Sequence, residues 1–250
     1  QERFWIALAN PGKKLTSGDE LMLKDGTKTT VIDKLPDGTI QLDFQRSPDE
    51  VFSIADRVGE IPVPPYVRKQ PEHESQYQTI YAKELGSVAA PTAGFHFTPA
   101  LFEALASKGI QKAFVTLHVG LGTFRPMKTE TVEAHKMHSE WFSIPKETQD
   151  LIEQTKKSGH RVIAVGTTAV RALESSALTA TFSGFTSLFI TPGYSFRVID
   201  GLMTNFHLPK STLLVLVSAF AGREGMLDAY QHAIDSGYRF YSFGDAMLIL

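Results

Sequence analysis

The segment Val165-Gly-Thr-Thr-Ala-Val-Arg171 joins a strand-like run to a helix-like one through two hydroxyl residues. A helix that begins this way leaves its first backbone N–H groups free, with the positive end of the helix dipole behind them. Gly166, Thr167 and Thr168 then offer a site for a carboxylate or a phosphate, to which Arg171 could add a two-pronged contact. The same residues also suit plain capping by threonine, with Arg171 paired to Glu174 three positions on. Three further segments combine polar chemistry with turn formers: Ala89-Ala-Pro-Thr-Ala-Gly-Phe-His-Phe-Thr98, Thr204-Asn-Phe-His-Leu-Pro-Lys-Ser-Thr212 and Tyr241-Ser-Phe-Gly-Asp245. His96 and His207 in the first two are placed for acid or base work in a cleft, since an imidazole changes charge near neutral pH. The competing reading for each is a histidine satisfied inside the core.

Two other motifs point elsewhere. Gly120-Leu-Gly122-Thr-Phe-Arg125 lacks the third glycine of a dinucleotide-binding loop, and proline follows where a helix should start, so a sharp turn or close backbone approach is the better reading. His135-Lys-Met-His138, with Glu133 and Glu140 nearby, has the spacing of paired metal ligands, which His96, His118 or His207 would have to complete in space. Neither a nucleophile elbow nor a Walker loop occurs. The chain has no cysteine, which removes disulfides, thiolate metal sites and cysteine nucleophiles.

The elements that must carry these groups fall into two classes. Short strand patterns at 3–9, 20–24, 27–34 and 39–44, with Asp25-Gly26 and Pro36-Asp-Gly38 as turns, predict an antiparallel β barrel or sandwich, followed by a brief helix at 50–58. The connector Ile61-Pro-Val-Pro-Pro65 favours an extended path and marks the boundary between a domain of residues 1–62 and one of 63–250. Beyond it, helices and strands alternate. Helices are expected after Thr98-Pro99, after Pro145, over 169–177 and 211–221, and on to Ser236, and strands at 110–119, 161–165, 188–190 and 197–203. This order predicts an α/β layer around a largely parallel or mixed sheet.

At 250 residues and 42% hydrophobic, the chain can bury a sizeable core. Its formal charge of −2 argues against a non-specific nucleic-acid coat, though a local basic face is compatible with it. The longest apolar run, 213–221, is too short to span a membrane. Numbering starts at Gln1 inside a strand-like pattern, which leads us to expect a natural start further upstream.

Taken together, AAPTAGFHFT, TLHVGLGTFRP, HKMHSEWF, VGTTAVRALES, TNFHLPKSTLL, SAFAGRE and YSFGDAMLIL resemble the S-adenosylmethionine:tRNA ribosyltransferase-isomerase family, in unbroken order from about Arg3 to Leu250. The series is most specific from Tyr77 onward. The chain departs from the family pattern in its missing front segment, a shorter 175–182 connection, and Phe185 and Thr191 where tryptophan and another aromatic are common. The resemblance implies a discontinuous α/β domain with an inserted small antiparallel β-barrel, the N-terminal part being missing from this chain. It makes residues 1–62 a partial barrel domain and 63–250 the catalytic domain.

The implied reaction transfers the ribosyl group of S-adenosylmethionine to the aminomethyl group of 7-aminomethyl-7-deazaguanine at the tRNA wobble position. It isomerises the ribose to an epoxycyclopentane and releases adenine and methionine. Such chemistry needs two or three groups of histidine or carboxylate type in one cleft. On the family motifs, His96, His118 and His207 are expected to do the acid and base work. Arg125, Gly166, Thr167, Thr168 and Arg171 are expected to hold the methionine carboxylate or a tRNA phosphate, and Glu174, Asn205 and Asp245 to orient adenine or ribose. No cofactor is implied, since S-adenosylmethionine is consumed. The implied partners are tRNA and S-adenosylmethionine, without a membrane, for a cytoplasmic monomer. Tyr66-Val-Arg-Lys69, Lys13-Lys14 and Lys210 are candidate tRNA contacts. The competing readings are a metal-dependent hydrolase and a non-catalytic RNA-binding protein.

Overall fold

The computed structural model describes residues 4–9, 11–36, 38–64, 66–67, 73–120 and 131–250. The chain forms two compact units, residues 1–61 and 62–250.

The first unit contains β1 (Phe4–Ala7), β2 (Glu20–Met22), β3 (Lys28–Lys34), β4 (Ile40–Asp43) and α1 (Pro48–Val58). Its strands pair antiparallel in the order β1-β4-β3-β2. Val31, Ile40 and Leu42 form the core, with Trp5, Leu21 and Phe44 packed against them. Gly26, at φ +83°, makes the β2–β3 turn, and the Asp25 carboxylate accepts the Thr27 N–H at 3.0 Å. Helix α1 starts earlier than its apolar pattern indicates. Ser47 and Glu50 form a capping box, and Pro48 occupies the first turn, where its missing N–H costs nothing. The expected barrel does not close among the described residues: β1 and β2 are the two edges of an open sheet.

The second unit contains, in order, α2 (Pro99–Ser107), β5 (Thr116–His118), β6 (Glu140–Ser143), α3 (Lys146–Lys157), β7 (Ile163–Val165) and α4 (Thr167–Thr179). These are followed by β8 (Ser183–Thr186), β9 (Gly201–Asn205), α5 (Thr212–Ala221), α6 (Arg223–Asp235) and β10 (Ala246–Ile249). Where one largely parallel or mixed sheet is expected, the described residues form two three-stranded sheets, the mixed β10-β9-β7 and the antiparallel β5-β6-β8. Among the described residues, β7 and β9 are the pair that runs parallel; the other pairs are antiparallel. The expected strand at 188–190 is irregular chain instead, and β8 takes the place beside β6.

Both sheets and α4–α6 contribute to one core, in which Val170, Leu202 and Val217 are fully buried beside Phe142 and Ile190. Gly222, at φ +83°, ends α5 and begins α6, a sharp junction that a side chain would strain. Among the described residues, no helix is long and apolar enough to cross a membrane.

Candidate active site

Because β7 and β9 are parallel, their carboxyl ends open at the same edge, the place where ligands commonly bind in open α/β sheets. The Gly166 N–H donates to the Met203 carbonyl at 2.8 Å, which continues the ladder one residue beyond β7 before the chain turns into α4. Gly166 stands at φ +87°, a conformation that favours glycine. No side chain caps the start of α4, so its first-turn amides face outward without a local partner side chain. These amides meet the chain leaving β9, the turn at 89–93 and the 241–242 segment around a cavity of about 240 Å³.

Six of the sequence-predicted residues line this cavity: Gly166, Thr167, Thr168, Arg171, Asn205 and His207. His207 is buried, and its Nε2 lies 3.0 Å from the Thr204 hydroxyl. Its backbone N–H donates to the Tyr230 hydroxyl at 2.8 Å, which fixes the loop carrying the ring. Burial disfavours the imidazolium and pushes the His207 pKa down to about 4, so the ring is a neutral base at physiological pH. Asn205 accepts the Thr92 hydroxyl on Oδ1 at 2.9 Å, while its Nδ2 is buried without a partner. Arg171 is held by the Glu140 carboxylate at Nη1 and donates from Nε to the Leu188 carbonyl at 3.2 Å; its Nη2 is buried without a partner. Two residues that line the cavity thus each carry a buried donor without a partner, whereas buried polar groups are almost always paired.

Four predicted residues stand outside the lining. Glu174 is fully buried, and its carboxylate accepts the backbone N–H groups of Arg197, Val198 and Ile199 at 2.8, 2.9 and 3.2 Å and the Tyr194 hydroxyl at 3.1 Å. That carboxylate is spent on folding the 194–199 loop. The alternative reading of an Arg171–Glu174 pair gives way to the buried Arg171–Glu140 pair. Asp245 accepts the Arg239 backbone N–H at 2.7 Å and one of its guanidinium N–H groups at 3.2 Å. These bonds, with His96 nearby, hold its carboxyl below the usual range. His96 closes the short helical turn Thr92–His96 and faces that carboxylate's charge.

His118 ends β5, its ring stacked on Trp141 with centroids 5.1 Å apart and its Nδ1 buried without a partner. Gly86, at φ +126°, lets the chain pass closely: a Cβ there would meet His118 Nδ1 at 3.1 Å. Arg125 lies outside the described residues, as does most of the Gly120–Arg125 motif. Among the described residues, no three histidine, aspartate or glutamate side chains are grouped to hold a metal ion.

Residues that the sequence reading did not single out also build the site. Thr92 and Thr204 orient Asn205 and His207. Tyr66 and Tyr241 face each other in the lining with ring centroids 5.0 Å apart, and the Tyr66 hydroxyl lies 2.6 Å from that of Ser242. Tyr241 adopts φ +73°, an uncommon conformation for an aromatic residue. Glycine-like geometry at a non-glycine position leaves no mark in the sequence, and partners this far apart in the chain leave none either.

Residues 1–249 match the family described as queuosine biosynthesis protein. The chain is 51% identical over 253 aligned residues to S-adenosylmethionine:tRNA ribosyltransferase-isomerase of Desulfitobacterium hafniense, covering 98% of this chain and 73% of that protein. It is 59% identical over 204 residues to the protein of that name from Polynucleobacter asymbioticus, covering 81% of this chain and 59% of that one. A crystal structure of S-adenosylmethionine tRNA ribosyltransferase from Thermotoga maritima matches the whole chain and 71% of its own, with a TM-score of 0.55 and 37% identity. Full-length agreement with the family and about half the residues shared with such relatives lead to one conclusion: this chain belongs to the queuosine biosynthesis protein family.

Proposed function

We infer that the protein is an enzyme, an S-adenosylmethionine-dependent tRNA ribosyltransferase-isomerase of queuosine biosynthesis. Family membership and the shared name of its relatives support the activity. The observation that supports a site at the carboxyl ends of β7 and β9 is the cavity there, lined by a neutral buried imidazole and by two residues that carry unpartnered donors. The acceptor is 7-aminomethyl-7-deazaguanine at the tRNA wobble position. No cofactor takes part, because S-adenosylmethionine is consumed.

In this reading, His207 takes a C5′ proton acidified by the neighbouring sulfonium, and adenine departs with a proton from a donor. The neutral amine of the modified base then attacks the ribosyl carbon chain. Ring closure to the epoxide breaks the carbon–sulfur bond and releases methionine. Arg171, with the Gly166-Thr167-Thr168 amides, holds the methionine carboxylate or a tRNA phosphate, and Asn205 donates to adenine or ribose. His96, His118, Asp245 and Arg125 remain assigned to the wider site on motif membership alone. Glu174 serves it indirectly, through the loop it braces. We assign residues 63–250 as the catalytic domain and 1–62 as part of an inserted β-barrel, in a monomer that works in the cytoplasm beside its tRNA.

The relatives' shared name over nearly the whole chain favours this reading over a metal-dependent hydrolase or an RNA-binding protein without catalysis. The test is to incubate the protein with S-adenosylmethionine and tRNA carrying the modified base, and to follow free adenine and methionine. Equimolar release is expected; a folded protein that releases no adenine would overturn the assignment.

A further inference from the structure

Four described residues other than glycine stand in the left-handed backbone region: Gln45, Ala180, Lys210 and Tyr241. Ala180 ends α4, where such a conformation is an ordinary stop. Lys210 and Tyr241, at φ +56° and +73°, both line the cavity at the ends of β7 and β9. A glycine would take either conformation without strain, so what lysine and tyrosine add at these positions is their side chains. Strain of this kind persists where the surroundings impose it, and it collects at ligand sites.

The Tyr241 N–H donates to the Phe206 carbonyl at 3.0 Å, and the Tyr241 carbonyl accepts the Gly244 N–H at 3.0 Å. The first of these bonds ties Tyr241 to the residue before His207. Its ring meets that of Tyr66 with planes 44° apart, so the two are tilted and not stacked flat on each other. Tyr66 is held in turn by the Ser242 hydroxyl. Both tyrosines are half-buried, which leaves part of each within reach of a ligand. Lys210 is exposed at the rim. Arg171 is buried against Glu140, and burial keeps His207 neutral. Lys210 is thus the cation of the described lining that a ligand still in water can meet.

These two kinds of group suit the two parts of a nucleotide. An ammonium on a flexible stem attracts a phosphate without leaving solvent, and aromatic rings take the flat face of an unstacked base. We propose that Lys210 and the Tyr66–Tyr241 pair receive a nucleotide of single-stranded RNA, Lys210 at a phosphate and the tyrosines against the base, so that the tRNA enters the cavity over this rim. The inference rests on the reading above that the wobble nucleotide reacts in this cavity. S-adenosylmethionine offers rival partners, its carboxylate for Lys210 and its adenine for the tyrosines, and the experiment separates the two sources.

The test measures Kd for tRNA carrying the modified base over a range of salt, and KM for S-adenosylmethionine from adenine release. Lys210→Gln should weaken tRNA binding and reduce the slope of log Kd against log salt by about 0.7, the share of one single-strand phosphate contact. Tyr66→Leu and Tyr241→Leu should each weaken tRNA binding about 5- to 100-fold, the worth of one stacked base, at an unchanged slope. Phenylalanine at either position should restore most of that loss. KM for S-adenosylmethionine should move less than about twofold in the lysine and leucine variants. If Tyr241→Leu does not fold, Tyr66→Leu and Lys210→Gln carry the test. A wild-type slope in Lys210→Gln, or leucine variants that lose affinity for S-adenosylmethionine and keep it for tRNA, would overturn the inference and leave the proposed function intact. A wild-type protein that releases no adenine would overturn both.

Discussion

The Thr92 hydroxyl donates to Asn205 Oδ1 at 2.9 Å across 113 residues of chain, and in doing so fixes the orientation of the Asn205 amide. With Oδ1 engaged, Nδ2 is left buried without a partner. The bond also ties the turn at 92–96 to the end of β9, two segments that share the cavity wall.

Thr92→Val keeps the shape and removes that donor. The expected result is a rise in KM for S-adenosylmethionine of about 3- to 10-fold, the worth of one hydrogen bond, with a smaller change in kcat. Steady-state kinetics on the folded variant checks it, and an unchanged KM would show that the amide is oriented by other contacts.

His207 makes stability depend on pH. Its folded pKa of about 4 lies below the ordinary histidine value, so between about pH 6.5 and 4 the unfolded chain binds a proton that the folded one refuses. Stability is therefore full above that window and falls through it on acidification, by about 3 kcal/mol in all. His207→Gln should flatten this part of the Tm-against-pH curve and lower turnover at least ~10²-fold at pH 7, the low end for a general acid–base group. An unchanged curve would place the histidine in contact with water.

Glu174 separates folding from chemistry. Glu174→Gln keeps one oxygen for the four donors that now share two. The expected cost is ~2 kcal/mol, or about 4–8 °C in Tm for a chain of this size. Activity per folded molecule should stay within about twofold. A tenfold loss of kcat with an unchanged Tm would return Glu174 to the list of substrate-binding residues.

Gly94 has room for hydrogen only: a Cβ would meet Thr79 Cγ2 at 2.7 Å and collide with the Tyr81 hydroxyl. Gly94→Ala should cost about 1–3 kcal/mol as overpacking. Because Gly94 lies in the turn carrying Thr92, the variant should also raise KM for S-adenosylmethionine. Thermal melts and kinetics together read both effects; a melt equal to wild type would mean that the turn relaxes freely.

What could be read along the chain was what neighbouring residues decide among themselves. The strand, glycine and helix at 163–179 follow in the expected order, with the helix starting at Thr167, two residues before the expected 169, because ladder and helix bonds involve residues close in sequence. The same holds for the Thr98 cap with Pro99 behind it, and Ser211, expected at the start of its helix, caps α5. Strand bounds drifted by a few residues, and 110–119 shrank to Thr116–His118, because pairing partners rather than propensity end a strand.

Tertiary structure alone decided the partners and the solvation. Arg171 takes Glu140, 31 residues away, in place of Glu174 three positions on its own helix, and Glu174 turns instead to backbone amides at 197–199. Of the three histidines expected to do acid and base work, His96, His118 and His207, packing left His207 alone in the lining of this cavity. A side chain's partner, charge state and access are set by whatever the fold packs around it. Those neighbours come from segments whose approach no local spacing encodes.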